Sequence, residues 1–405
     1  MKDLFNHLLD ELNVNKCEMT VVDSNFYNRL SEGNGNLSLI LGESYMAGEW
    51  KSYDLASFFR KVIDKNDNNK ILSSVFNKHR LGSSKLFLKL LIFDTKDYIN
   101  NTLSNNQTIK LSKRVGEQHY DIPDIVYEYM LDSHRQYTCG YWKPGVKTLE
   151  EAQQAKMNLI IDKLQIPDDV EMNILDIGFG WGGLMNTISQ RYPKCNVYGI
   201  TISKEQLKYA KKKYNTDKLH YYYCDYRDLI KKDKKYDRIY SIGMFEQVGL
   251  KNHDTFFKTI QNILTKDGIF LLHTITKPCL LKYIFGKTKH TGDSWIIKYI
   301  FPGGEIPLTE SIITSAQNNK LMYHHVQNLS ISYAKTLYAW YNNFTLNWNK
   351  IKKTNPDFFT DEFYRMWEFY LLCSMVSFEK KGLQLTQFVF TKKTYDGMYV
   401  FTEKE

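Results

Sequence analysis

Hydrophobic positions along the 405-residue chain change period twice. In the first hundred residues they recur at intervals of three and four, as on one helix face. Leu55, Phe58, Phe59, Val62 and Ile63 follow Asp54, a residue suited to cap them. Leu86 to Phe93 is very apolar, interrupted only by Lys89, and reads as packed core, with a membrane-facing patch as the alternative. The polar run Asn100 to Gln107 carries no period and reads as a linker. A helix through Ile125, Tyr129 and Met130 comes next, then an aromatic turn from Arg135 to Trp142. Lys143-Pro144-Gly145 breaks the chain there. Thr148 to Leu164 reads as a helix, with Thr148 and Glu151 at capping-box spacing.

From Asn173 short apolar runs alternate with helical ones. Strands are expected at Asn173–Ile177, Val197–Ile200, Leu219–Cys224, Arg238–Ile242 and Gly268–Thr274, with helices from Ser203 to Tyr214 and from His253 to Leu264. That alternation predicts a parallel, doubly wound sheet. Ligands of such sheets sit beyond the carboxyl ends of the strands. The rule gathers Asp176, Thr201, Asp225, Gly243 and His273 near one crevice. After Ile275 the alternation stops, and 276–308 reads as an irregular insertion. Helices are expected at Ile331–Lys350, with Tyr333, Leu337, Trp340, Tyr341 and Phe344 on one face, and at Phe359–Phe378. Gln384–Phe390 and Gly397–Phe401 read as a closing strand pair.

The chain is organised around Ile174 to Leu184, a buried strand, a glycine turn and a helix start. Gly178 and Gly180 permit a close backbone approach, and free N–H groups at a helix start point at whatever binds there. Gly178, Gly180 and Gly183 also satisfy the dinucleotide fingerprint, which is weak alone. That reading needs an acid at the end of the next strand, about 20 residues on. The next strand ends in Thr201-Ile202-Ser203, with no carboxylate. Asp176 instead precedes the turn, and an acid there suits a cationic amino-acid head group. S-adenosylmethionine has such a group and no phosphate.

The formal net charge of +9 favours an anionic partner without choosing among nucleic acid, acidic lipid and acidic metabolite. Six cysteines include no C-x-x-C pair, so neither a zinc site nor a disulfide framework is expected. No signal peptide is evident at Met1 to Phe5, and no uncharged run has the length of a membrane span. A cytoplasmic protein that visits membranes from the surface is expected. The lysines at 208, 211–213, 231, 232, 234 and 235 read as solvated faces.

Several motifs together resemble the cyclopropane-fatty-acyl-phospholipid synthases and their mycolic-acid relatives. They are Leu41 to Trp50 (LGESYMAGEW), Gln136 to Trp142 (QYTCGYW), Leu175 to Gly183, Gly199 to Ser203, Gly243 to Gly249 (GMFEQVG), Leu272 to Ile275 and Lys298 to Gly303. The resemblance covers nearly the whole chain. It implies an α/β fold, a Rossmann-like class I methyltransferase sheet with helical insertions, plus a small, mainly helical N-terminal domain. The implied domains are 1–100 for lipid docking or dimerisation, a linker at 101–115, and a catalytic domain at 116–405 with a lid insertion at about 276–380.

The implied activity is methylene transfer from S-adenosylmethionine to the cis double bond of a phospholipid acyl chain. An alkene is a poor nucleophile, so it must be held against the sulfonium methyl. Its attack leaves a cation, a base must take a proton for the ring to close, and water must be kept out. Aromatic faces stabilise such a cation by about 0.5–2 kcal/mol each. The family's base is a bound bicarbonate, whose ligands carry over to Cys139, Glu246, His273, the backbone of Ile275 and Tyr333. Tyr137 and Thr138 fall beside the methionine portion of the cofactor, Gly178 and Gly180 under it, and Thr201, Ile202 and Gln206 near the ribose. Asp225 and Tyr226 flank the adenine, by hydrogen bonding and stacking. No metal is implied. The implied partner is unsaturated phospholipid in an anionic membrane surface, met by a homodimer at the inner face of the membrane.

Plainer readings stand beside these. Cys139 also fits as a small buried hydrophobe, His273 as a satisfied strand-end histidine and Tyr333 as core. Glu246 is hardest to explain as packing, since a carboxylate among Met244, Phe245 and Val248 needs a partner. The sequence departs from the family at Phe179, usually Cys, at Gln247, commonly His, and at His119 to Asp124, where Ile122 and Pro123 replace the usual turn. Lys277 to Asp293 is also longer than usual. A lipid methyltransferase making methyl-branched or hydroxylated chains is the competing enzyme reading, with a methyltransferase of a soluble metabolite behind it. A lipid-surface protein without chemistry is the competing binding reading, and no Asn/Asp-Pro-Pro-aromatic motif points to nucleic-acid methylation.

Overall fold

The computed structural model describes residues 2–32, 37–64, 107, 122–277 and 294–403. The Leu86–Phe93 stretch, the expected linker except Gln107, His119 to Asp121, and all but Lys277 of Lys277–Asp293 lie outside them. The chain divides into two units. One comprises 1–104, 289–301 and 337–382; the other comprises 105–288, 302–336 and 383–405.

The first unit is helical. Lys2–Glu11, Asn25–Glu32, Leu37–Met46 and Leu55–Asp64 are helices, joined by a two-stranded ribbon of β1 (Thr20–Val21) and β2 (Trp50–Lys51). Asp54 accepts from the Ser57 N–H at 2.9 Å, as its capping position requires. The LGESYMAGEW motif is a packing device. Gly42 lies so close to Trp295 that a Cβ would fall 2.2 Å from the indole. Trp50 is fully buried and donates to the Leu41 carbonyl at 3.1 Å. Glu43 meets Lys298 at 2.6 Å, Glu49 meets Arg29 at 2.7 Å, and Glu368 accepts from Tyr45 at 2.7 Å. Every polar residue of the motif thus has a partner inside its own unit.

The second unit holds a seven-stranded sheet of β3 (Asn173–Ile177), β4 (Asn196–Thr201), β5 (Leu219–Tyr223), β6 (Tyr236–Ile242), β7 (Leu264–Thr276), β8 (Leu321–Asn328) and β9 (Gln384–Lys392). Its order is β5-β4-β3-β6-β7-β9-β8. The first five strands in that order run parallel, and β9 is antiparallel to both β7 and β8. The order reverses between β3 and β6, so the crevice beyond their carboxyl ends is the topological switch point. Helices Gly183–Arg191, Lys204–Lys213 and His253–Ile263 follow β3, β4 and β6. One face of the sheet packs Leu175, Ile177, Ile239, Phe270, Leu272 and Phe388 in one core; the other packs Ile174, Val197, Leu271 and Val389 in a second. The Leu149–Leu164 helix carries the expected capping box between Thr148 and Glu151.

Two expectations are corrected. The partner of β9 is β8, not 397–401, where Met398 and Val400 are exposed and no strand forms. The 276–308 insertion contains a helix, Ser294–Tyr299. Thr309–Asn318 is a further helix.

Candidate functional site

The glycine turn after β3 is held down by backbone bonds, with the Gly178 N–H donating to the Ile200 carbonyl at 2.9 Å. Gly180 adopts φ +56°, and a Cβ built on it would meet no protein atom within 4 Å. The backbone there faces open space, which a ligand can approach. Asp176, 3% exposed, has an Oδ1 that is buried without a hydrogen-bond partner. Burial pushes its carboxyl up to about 8, against the pull of Tyr240 and the Lys156 charge. A buried acid with no cation of its own against it among the described residues, beside an open glycine turn, fits an incoming ammonium group, such as that of S-adenosylmethionine, against which it can ionise.

The aromatic turn is pinned from two sides. Asp132 accepts from the N–H groups of His134 at 3.0 Å and Gln136 at 2.8 Å. From the Leu149–Leu164 helix, Gln153 donates to the Thr138 carbonyl at 2.8 Å, and Lys156 Nζ donates to Thr138 Oγ1 at 2.9 Å and Gln136 Oε1 at 2.5 Å. Tyr137 stands edge-on to Tyr127, ring centroids 5.2 Å apart. Thr138 also packs against the turn after β6, so close to Gly243 that a Cβ there would fall 2.7 Å from its methyl. Tyr137 and Thr138 are therefore held at the β6 end of the crevice.

On the β4 side, Thr201 Oγ1 donates to Gln206 Oε1 at 3.1 Å and accepts from the Ser203 N–H. Ile202 is half-buried between them. Asp225, expected beside the adenine, is paired within the protein. Both its oxygens accept from Arg227, at 2.7 Å from Nε and 2.7 Å from an Nη. Tyr226 likewise packs into the core, edge-on to Phe256 at 5.2 Å, with the Arg227 guanidinium 5.2 Å from its ring centroid.

The expected ion ligands occupy adjoining segments. Glu246 sits in the turn after β6, and its Oε1 accepts from the Ile275 N–H at 2.7 Å. Its backbone carbonyl accepts from the Glu305 N–H at 2.8 Å. Ile275 thus engages the carboxylate, and its N–H is used in holding Glu246. Glu246 Oε2 is buried with no partner, and burial raises the carboxyl pKa. His273, 1% exposed on β7, pairs in register with Gln387 of β9. Its Nδ1 lies 3.0 Å from Gln387 Nε2, and its Nε2 is buried without a partner. Burial, reinforced by Lys156 and Lys163, holds the imidazole neutral. Cys139 is fully buried; its Sγ–H reaches the Gly140 carbonyl at 3.0 Å and the Leu329 carbonyl at 3.9 Å, and burial keeps the thiol protonated. Leu329 leads into the Ser330–Thr354 helix, and its carbonyl accepts from the N–H of the buried Tyr333. Thr336, a turn further on, accepts from the Gly140 N–H at 3.0 Å.

Asp176 Oδ1, Glu246 Oε2 and His273 Nε2 are therefore buried, unpartnered polar atoms at the carboxyl ends of β3, β6 and β7. Buried polar groups are nearly always satisfied, so atoms like these mark where a ligand belongs. The donor set also fits an oxyanion: a protonated thiol and a neutral imidazole offer hydrogen bonds without adding negative charge, and Glu246 Oε2 can accept one from the ion's own O–H.

Sequence reading passes over Gln153, Lys156, Lys163, Arg227 and Gln387. The first three share the buried face of the Leu149–Leu164 helix with Ile160 and Leu164, and a polar stripe among apolar positions was the available signal.

Over residues 107–388 the sequence matches the family described as mycolic acid cyclopropane synthetase. It is 37% identical over 385 residues, 95% of this chain and 90% of the relative, to the cyclopropane-fatty-acyl-phospholipid synthase of Escherichia coli (strain K12). The cyclopropane synthase MmaA2 from Mycobacterium tuberculosis superposes with a TM-score of 0.62 at 29% identity, over 69% of this chain and 98% of that one. The mycolic acid cyclopropane synthase CmaA1 complexed with SAH and CTAB gives the same TM-score of 0.62, identity of 29%, and coverage of 69% and 98%.

Proposed function

The chain belongs to the mycolic acid cyclopropane synthetase family, and from that premise we propose that it transfers a methylene group from S-adenosylmethionine to the cis double bond of unsaturated acyl chains in membrane phospholipids, closing a cyclopropane ring with bicarbonate as the base. The observation that carries the reading is the trio of buried, unpartnered atoms on Asp176, Glu246 and His273. When bound, S-adenosylmethionine supplies an electrophilic methyl and bicarbonate supplies a proton acceptor. Asp176 receives the ammonium, over a turn that Gly180 leaves open and that Gly178 seats against Met244. Tyr137 and Thr138 close over the methionine portion, and Thr201, Ile202 and Gln206 line the ribose side.

Asp225 and Tyr226 remain the proposed adenine neighbours, with Arg227 as the group that orients the Asp225 carboxylate. Cys139, His273 and Tyr333 donate to the oxyanion, Glu246 orients it, and Ile275 holds Glu246. Lys156 places a positive charge near the site and exposes none of it to water. A cation formed on the acyl chain must be kept from water until the ring closes, or it is captured as an alcohol.

Among the described residues no helix is long and apolar enough to cross a membrane. With the net charge of +9 this supports reversible, salt-sensitive docking on an anionic leaflet at the inner face of the membrane, as a homodimer that uses the N-terminal unit for docking or pairing.

The test is expression in a bacterium with unsaturated lipids, followed by lipid mass spectrometry and an assay in degassed buffer. Acyl chains should gain one CH₂ as a ring that resists mild hydrogenation, and activity should fall without bicarbonate and return with it. Branched or hydroxylated chains instead would make the protein a lipid C-methyltransferase. Full activity in bicarbonate-free buffer would overturn the bound ion and promote Glu246 to base.

A further inference from the structure

Lys163 and Gln387 are polar residues buried in the second unit that touch none of the proposed bound molecules. Both are fully inaccessible to solvent. Lys163 lies near the end of the Leu149–Leu164 helix, and Gln387 stands opposite His273 in the β7–β9 register. Lys163 Nζ is 2.6 Å from Gln387 Oε1, and it also meets Gln327 Oε1. On its remaining side the Phe401 ring centroid is 5.3 Å away. The amide nitrogen of Gln387 is 3.0 Å from His273 Nδ1.

An ammonium has only donors, so it accepts nothing from Gln387 and must face the amide oxygen. That fixes the amide: its oxygen points to Lys163 and its nitrogen to His273. An amide nitrogen only donates, so His273 Nδ1 must accept. A neutral imidazole that accepts at Nδ1 carries its proton at Nε2. Nε2 is the ring atom that is buried and without a protein partner.

We propose that Lys163 and Gln387 are positioning residues, a hydrogen-bond chain that locks His273 in the Nε2–H tautomer and so presents a fixed donor to the oxyanion. The inference deepens the role proposed for His273 and rests on it. The relay also explains why a lysine and a glutamine sit in a core where apolar side chains would pack more cheaply: a buried amide free to flip would leave His273 with two tautomers, one of which turns an acceptor toward an anion. Burial holds the Lys163 ammonium pKa down, to about 7, so the donor-only lock on Gln387 is in force below that pH and loosens above it, where the amine's lone pair can also accept; the tautomer is therefore read at pH 6.

The experiment is ¹⁵N NMR of the full chain labelled at its ten histidines, with the His273 signals assigned by their loss in His273→Gln. Wild-type His273 should show a protonated Nε2 and an unprotonated, hydrogen-bonded Nδ1, without S-adenosylmethionine or bicarbonate present. Gln387→Glu puts an acceptor opposite Nδ1 and should move the proton there. Turnover in that variant should fall at least tenfold, with S-adenosylmethionine affinity unchanged. Lys163→Met should leave the amide free to flip and give mixed tautomers. A wild-type Nδ1–H tautomer, or an unshifted proton in Gln387→Glu, overturns the relay, and the wild-type spectrum decides this even where a variant does not fold. Loss of the bicarbonate requirement with the expected tautomer would instead overturn the ion.

Discussion

The Ile275 N–H donates to Glu246 Oε1 at 2.7 Å, and so the last turns of β7 hold the carboxylate that follows β6. One oxygen of Glu246 is used for structure and the other, Oε2, is buried and free for a ligand. The two strands pair in register as far as Ile242 and His273, so the same strand ends place Glu246 and the imidazole.

Glu246→Gln separates these two jobs. The amide oxygen can still accept from Ile275, so the turn keeps its place and thermal stability should change little. The amide nitrogen replaces the free acceptor with a donor. Turnover should fall by about 10²–10³-fold, the scale for losing one preorganised polar contact in an active site. Added bicarbonate should not restore it. Steady-state kinetics against bicarbonate concentration checks both points, and restoration to wild-type rates would remove Glu246 from the ion.

Gly180 distinguishes a cradle from a turn. Its φ of +56° suits asparagine far better than a branched residue, and the space beyond it holds no protein atom. Gly180→Asn should keep the fold by circular dichroism and weaken S-adenosylmethionine binding at least tenfold by calorimetry. Gly180→Val should lose binding and stability together. Unchanged affinity in the asparagine variant would make the turn purely structural.

Gly42 tests the helical unit independently of any chemistry. An alanine methyl would fall 2.2 Å from the fully buried Trp295 indole, which has Phe369 at 4.7 Å on another side. Overpacking of this kind costs about 1–3 kcal/mol. Gly42→Ala should therefore lower the melting temperature by several degrees, as read by calorimetry. A melting temperature equal to that of wild type would show that Trp295 moves aside freely.

The parallel half of the sheet is legible because β3, β4, β6 and β7 are largely buried on both faces between helical segments, and the edge strand β5, though Tyr222 and Tyr223 are exposed, is an unbroken run of large side chains. β8 is not, because it is an edge strand: Met322, Tyr323 and Val326 are exposed, His324 and His325 interrupt any alternation, and the register slips between Tyr323 and His325. Gly397–Phe401 is apolar enough for a strand, but Tyr399 and Phe401 are only partly buried and Met398 and Val400 are exposed. Within the site, local spacing reveals the glycine turn and Glu246. The residues that hold others in place are hidden for a different reason. Gln387 is 224 positions from Lys163, and only the fold brings them together. The Asp225–Arg227 pair is close in sequence, yet it depends on the Asp225 N-cap geometry, with the Arg227 N–H donating at 3.0 Å.

The last prediction concerns the proton on Asp176. Burial raises this carboxyl to about 8, so in the free protein at pH 7 it is mostly protonated. An ammonium placed against it favours the carboxylate. S-adenosylmethionine binding at pH 7 should therefore release close to one proton, and almost none above about pH 9, where the acid is already ionised. Calorimetry in buffers of different ionisation enthalpy measures the release. The same shift sets a stability slope. Between the unfolded value near 3.9 and the folded value, the folded chain holds a proton that the unfolded chain does not. Stability from this group is thus present at low pH and is lost as pH rises toward 8. Asp176→Asn lacks that loss, so without cofactor it should gain on wild type between pH 5 and pH 8 in thermal melts while binding S-adenosylmethionine poorly. Binding without proton release at pH 7 would show that Asp176 does not receive the ammonium.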